Sequence, residues 1–279
     1  MGHGQHRSRS PLFEAAHLVL PYLTPSELAA VAGTCLALRA VSRSINAARS
    51  LDASRAMEPS HPIPFLNPIS PGPPPLLAVP PYAYFVYSPS RTLSLARSAR
   101  QPWPSPTESL AGTLGDVEVR VKIVWCGRKG WGLFADQRIE DGQFVCEYAG
   151  EVITTCEARR RQAKYDELSS KGGFASALLV IREHLPSGTA CLRMNIDATK
   201  AGNVARFINH SCDGGNLSAE IIREAGDLLP RVCFFASRGI DKDEELTFSY
   251  GEARVGSKGV LPCLCGSPCC LGALPSENT

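Results

Sequence analysis

The sequence contains no apolar run of the roughly 18 residues needed to span a membrane. It also contains no block of like charge. Its 29 Lys and Arg face 27 Asp and Glu, for a formal net charge of +2. That balance neither requires nor forbids contact with nucleic acid, but it supplies no basic DNA-binding tail, so direct sequence-specific DNA binding is not expected. The opening residues, Met1 to His6, form no secretory apolar region, and His6 stands where a myristoylation signal has Ser or Thr. An intracellular, soluble protein without a membrane partner is expected. Cysteine is missing from a long middle stretch, with none between Cys35 and Cys126.

What is present is more specific. The chain has 279 residues, enough for one or two domains, and its 44% hydrophobic share can fill an ordinary core. Its 11 cysteines are an odd number, and Cys263, Cys265, Cys269 and Cys270 crowd one short stretch. Such clustering points to metal binding in a reducing compartment rather than to a disulfide frame.

Residues 11–56 read as a helical module. Thr24-Pro25-Ser26-Glu27 is a capping box with Pro at the first helical position. Leu28, Val31, Cys35, Leu38, Val41 and Ile45 then recur at helical spacing. Residues 57–116 hold 14 of the 22 prolines and read as a partly extended linker, in which Pro81 to Tyr87 offers a short strand for docking. From Val117 the pattern alternates, with Val117, Val119, Val121 and Ile123 on one face. This strand leads into Lys129-Gly130-Trp131-Gly132, where two glycines let backbone approach a ligand, or form a plain hairpin around a packed Trp. Further strands are predicted at 144–148, 174–181, 191–196, 217–223 and 232–236. A helix over 155–168 carries Arg159-Arg160-Arg161 on a solvated face.

The chemistry concentrates in Arg206-Phe207-Ile208-Asn209-His210-Ser211-Cys212, followed by the turn Asp213-Gly214-Gly215-Asn216. The apolar pair Phe207-Ile208 predicts a buried approach, and Asn209 and His210 can each donate and accept. The thiols of Cys263, Cys265 and Cys270 make three ligands, one short of a closed tetrahedral site.

Lys-Gly-Trp-Gly, Glu-Tyr-Ala-Gly-Glu, Arg-Phe-Ile-Asn-His-Ser-Cys and Glu-Leu-Thr-Phe-Ser-Tyr-Gly stand in this order over roughly residues 117–279, ending in Cys-x-Cys-x4-Cys. Together they resemble the SET domain of protein-lysine methyltransferases with its post-SET zinc motif. The wording is similar to that of plant histone methyltransferases related to suppressor of variegation. The resemblance implies a mainly β SET fold, small sheets around a knot-like core, over residues 117–252, with a zinc-binding tail over 259–279. It implies S-adenosylmethionine held by Lys129, Gly130, Trp131, Gly132, Phe174, Asn209 and His210. Tyr250 would stand at the methyl-transfer centre, Tyr148 along the lysine channel, and Phe248 at the position that tunes product state toward di- or trimethylation. Cys212 would join Cys263, Cys265 and Cys270 on zinc.

The implied partner is a histone H3 tail on nuclear chromatin, with lysine 9 as the expected target. Relatives carry a cysteine-rich pre-SET cluster before the first strand, and here that cluster is absent. The alternative is therefore a weakly active or inactive SET module serving in chromatin binding. The module 11–56, through Leu18 to Leu28 with Cys35 further on, also resembles a degenerate F-box, which implies an adaptor role with a Skp1-type partner, or else a plain helical hairpin.

Overall fold

A computed structural model describes residues 25–54, 62–66, 86–88, 92–93, 101–102, 119–170, 176–184, 191–223, 229–251 and 261–275, with Ala15, Val19, Leu20 and Leu23. The N-terminal capping residue Thr24 and the predicted cofactor residue Phe174 lie outside these. Two helices open the described chain, α1 (Pro25–Ala32) and α2 (Leu36–Leu51). The continuous helical spacing of the sequence is broken at Gly33-Thr34. Gly33 N–H bonds back to Ala29 and Ala30 carbonyls, and Cys35 Sγ accepts the Leu38 N–H to start α2. Leu28 on α1 is fully buried.

The rest is strand. A first sheet runs β1 (Phe65–Leu66), β5 (Val121–Trp125), β6 (Trp131–Ala135), with β5 and β6 antiparallel. A second orders β2 (Val86–Tyr87), β10 (Cys191–Gly202), β8 (Gly150–Ile153), β3 (Thr92–Leu93) and β4 (Gln101–Pro102), and β9 (Leu178–His184) pairs β10. A third is β12 (Leu217–Ile222), β13 (Arg231–Ala236), β7 (Phe144–Glu147). The range read as linker thus supplies β1 to β4 in its described parts, and β2 is the docked strand expected near Tyr87.

Alternation explains the sheet faces. Val121 and Ile123 point into the core, where they meet Leu133 and Ala135. Strand β13 is buried at every position because both its faces are covered: Val232, Phe234 and Ala236 join the main core, and Cys233 and Phe235 pack with Phe144 and Ile222. Helix α3 (Thr155–Ser170) begins where Thr154 Oγ1 accepts the Glu157 N–H. Its Arg-Arg-Arg run departs from the predicted solvated face at Arg161. Arg161 turns inward to Glu151 (2.6 Å) and Asp197 (2.7 Å), while Arg159 and Arg160 stay exposed. The i to i+4 contact with Glu157 and the depth of Asp197 draw it in: a carboxylate buried to that extent requires a cation.

Candidate active site

Two short strands bring the two richest motifs side by side. Strand β11 (Asn209–His210) pairs in parallel with β14 (Thr247–Phe248), Asn209 opposite Thr247 and His210 opposite Phe248. The segment entering β11 is a 3-10 turn, Val204–Phe207. Asn203 caps it by accepting the Ala205 N–H, and its amide donates to Glu147 O at 2.7 Å. Phe207 and Ile208 are buried as expected. Beyond β11, Asn216 clamps β14. Its amide donates to Glu244 Oε1 and Glu245 O, and its Oδ1 accepts the Thr247 N–H, each at 2.9 Å.

A cleft of about 470 Å³ opens beside this junction, lined by Trp125, Lys129, Gly130, Trp131, Arg206, Asn209, His210 and Tyr250 and roofed by residues 261–265. The predicted cofactor residues Lys129, Gly130, Trp131, Asn209 and His210 therefore converge. Gly132 does not line the cleft. A Cβ there would stand 2.9 Å from Glu245 Oε1 and 3.1 Å from Asn209 Nδ2, whereas a Cβ on Gly130 meets nothing within 4 Å. The two glycines act differently: Gly130, at φ +86°, leaves the cleft open, and Gly132 lets three segments meet.

Glu245 is the centre of that meeting. Its Oε2 accepts from Lys129 Nζ (2.6 Å) and its Oε1 from Asn209 Nδ2 (2.8 Å). The sequence showed Glu245 only as part of an acidic turn, and nothing local marks which of its four acids folds inward. Arg206 also lines the cleft unannounced; its Nε donates to Ala198 O at 2.9 Å and its guanidinium lies over the Phe207 ring.

The predicted catalytic aromatics cluster. Phe248 lies 4.7 Å from Phe234 and 4.9 Å from Tyr250, and Tyr148 lies 6.4 Å from Phe234, ring centre to ring centre. Tyr250 is 40% exposed, but its hydroxyl end is enclosed and donates to Ile208 O at 2.6 Å. Tyr148, buried, donates to Ala177 O at 2.9 Å. Burial pushes both phenols above their ordinary pKa, so both keep their protons at neutral pH. The imidazole of His210 is shifted down by burial and stays neutral there.

At one edge the four sulfurs of Cys212, Cys263, Cys265 and Cys270 lie within 4.8 Å of one another. The Cys212–Cys263 separation is 3.7 Å. Tetrahedral thiolates about 2.3 Å from a zinc ion would be spaced by roughly 3.8 Å, so the donor set fits a soft divalent cation. Burial works against the Cys265 thiolate, but N–H groups of Cys212 and Ser267 outweigh it and hold its pKa at about 6. Cys269 points away, exposed, with Ser267 Oγ at 3.1 Å.

Small sheets around the parallel β11–β14 pair, with a cysteine-bearing tail over an adjoining cleft, define the SET class of protein. Residues 130–251 match the SET domain family. The histone-lysine N-methyltransferase SUVR3 of Arabidopsis thaliana is 45% identical over an alignment of 338 positions, which covers 95% of this chain and 91% of that protein. The chain belongs to the SET-domain family, in its suppressor-of-variegation-related plant branch. The 338 positions exceed this chain's 279 residues, so the relative carries internal sequence that this chain lacks. The methyltransferase domain of human SETMAR superposes with a TM-score of 0.58 at 24% identity, covering 81% of this chain and 97% of that one. Arabidopsis SUVH6, solved with S-adenosylmethionine, gives 0.57 at 23% identity, covering 81% and 55%. These two likenesses concern the fold.

Proposed function

We propose that this chain is a histone-lysine N-methyltransferase that uses S-adenosylmethionine and acts on the histone H3 tail in nuclear chromatin, at lysine 9, to the di- or trimethyl state. The observation that carries the reading is the parallel pairing of Asn209-His210 with Thr247-Phe248, which sets Tyr250 at the mouth of the cleft. Residues 117–252 form the catalytic unit and 259–279 the tail. Bound S-adenosylmethionine supplies the methyl group as a sulfonium electrophile. Lys129, Gly130, Trp131, Asn209 and His210 would hold it, in a cleft that Arg206 also lines.

The remaining work is positional. Tyr148 and Tyr250, both protonated, orient the incoming amine, and the apolar ring set of Phe234 and Phe248 favours its neutral form by desolvation. Phe248 carries no hydroxyl to bind a water, which leaves room for a methylated amine to turn. A zinc ion on Cys212, Cys263, Cys265 and Cys270 would pin the tail over the cleft. Phe174 remains assigned to the cofactor by motif position alone. The adaptor reading of the N-terminal helices gains no supporting observation and is not part of the proposal.

The test is methyl transfer from labelled S-adenosylmethionine to H3 peptides that contain lysine 4, 9 or 36 singly, with product masses read. Dimethyl or trimethyl product at lysine 9 is expected, and Phe248→Tyr should stop at monomethyl. Transfer only to lysine 4 or lysine 36 would overturn the target assignment, and transfer to none would overturn the enzyme reading.

A further inference from the structure

Residues just past α2 are tied to the segment that enters β1. Asp52 accepts the Ser54 N–H (2.9 Å), the Ser54 hydroxyl (2.7 Å) and the Ile63 N–H (3.0 Å), and Ala53 N–H donates to Ile63 O (2.8 Å). Ala53, Ser54 and Ile63 are buried. Ile123 N–H then donates to Pro64 O at 2.9 Å, and Phe65 enters β1 opposite Ile123. From that position the Phe65 ring meets Trp131 edge-on at 5.7 Å and Phe207 at 6.5 Å. Trp131 and Phe207 both line the cleft, one from each of its two cofactor segments.

The sequence around Trp131 makes this contact consequential. Its neighbours Gly130 and Gly132 have no side chains to steady it, and its buried indole nitrogen has no hydrogen-bond partner among the described residues. The Phe65 ring and the Trp125 ring (5.3 Å) both pack edge-on against it.

We propose that residues 52–54 together with 62–66 brace the cofactor cleft, with Phe65 a positioning residue that acts through Trp131 and Phe207. The proposal rests on the reading of the cleft as the S-adenosylmethionine site. It adds to the catalytic unit proposed above, residues 117–252, a supporting segment from what the proline content marks as linker.

The experiment titrates S-adenosylhomocysteine into the full chain by calorimetry and measures KM for S-adenosylmethionine and kcat, for wild type, Phe65→Ala, Phe65→Leu and Asp52→Asn. Phe65→Ala should weaken binding and raise KM by about fivefold to tenfold, the worth of an aromatic contact, with kcat at saturating cofactor unchanged. Phe65→Leu, which fills most of the space, should recover part of the loss. Asp52→Asn, remote from the cleft, should shift KM in the same direction. A Phe65→Leu or Asp52→Asn protein with wild-type affinity and KM would overturn the brace, as would a loss of kcat without a change in affinity. Wild-type protein that binds no S-adenosylhomocysteine would overturn the cleft reading itself, a result seen before any variant is compared.

Discussion

Tyr250 donates its backbone N–H to Nδ1 of His210 at 3.1 Å. Because that nitrogen accepts, the proton of the neutral ring sits on Nε2, which faces Cys212 Sγ at 3.2 Å. One imidazole therefore links the backbone of the proposed methyl-transfer tyrosine to the cysteine cluster.

This linkage separates the two roles of Tyr250. Tyr250→Phe keeps the backbone bond to His210 and loses only the hydroxyl donor. Binding of S-adenosylhomocysteine is expected within about twofold of wild type, while transfer falls by about 10²–10³, the usual loss for one oriented donor. Calorimetry beside a labelled methyl-transfer assay checks both halves.

Removal of metal from the cysteine cluster should free the tail that roofs the cleft. Chelation, or Cys212→Ser, is expected to abolish stoichiometric zinc, speed proteolytic cutting within 261–275 and remove activity together. Elemental analysis and limited proteolysis give readouts independent of turnover. Cys269→Ser, whose sulfur lies outside the cluster, should change none of them.

Glu245→Gln retains an acceptor for the Asn209 amide but leaves Lys129 without its anion, and both partners of that pair are about one-fifth exposed. Hydrogen bonds to charged groups contribute about 1.5–3 kcal/mol, so cofactor affinity should fall by about 10- to 100-fold. Glu245→Ala, which also removes the nearer acceptor of the Asn209 amide and leaves it only Trp131 O at 3.3 Å, should lose more. Calorimetric titration distinguishes the two.

Arg161→Met should destabilise the fold by about 3–5 kcal/mol at neutral pH, because it leaves the buried Asp197 carboxylate without its cation. Burial raises the pKa of Asp197, but bonds from Arg161, Thr199 and Tyr165 outweigh it and set the folded value below the unfolded one. The stability this supplies is present above the ordinary carboxylate pKa, near 3.9, and is lost as pH falls through the folded value. The gap between wild type and Arg161→Met should therefore narrow on acidification, as the unpaired carboxylate of the variant takes up a proton first, read from denaturant unfolding at several pH values.

Much of the site was legible because its motifs are local. The run Arg206 to Cys212 carries a buried approach, two amphoteric side chains and a thiol in consecutive positions, and the structure keeps that order. Gly132 was legible as a glycine that matters, but not for the reason expected. Its constraint comes from Glu245, 113 positions away in the chain by the numbering. The solvated reading of Arg161 failed for a similar reason. Three consecutive arginines look alike in sequence, and only the position of Asp197 on β10 selects the one that turns inward.

By itself the sequence determined the family motifs, the alternation that makes the core strands, and the residue types that converge on the cleft. These depend on periodicity and short-range chemistry, which a chain carries openly. The tertiary structure alone decided which acid braces Lys129 and Asn209, and which ring steadies Trp131. It also decided that β1 to β4 pair with the SET sheets although their sequence reads as proline-rich linker. Each of those outcomes is a contact between distant segments, fixed by burial and by the need of buried charges and strand edges for partners, and no local pattern encodes it.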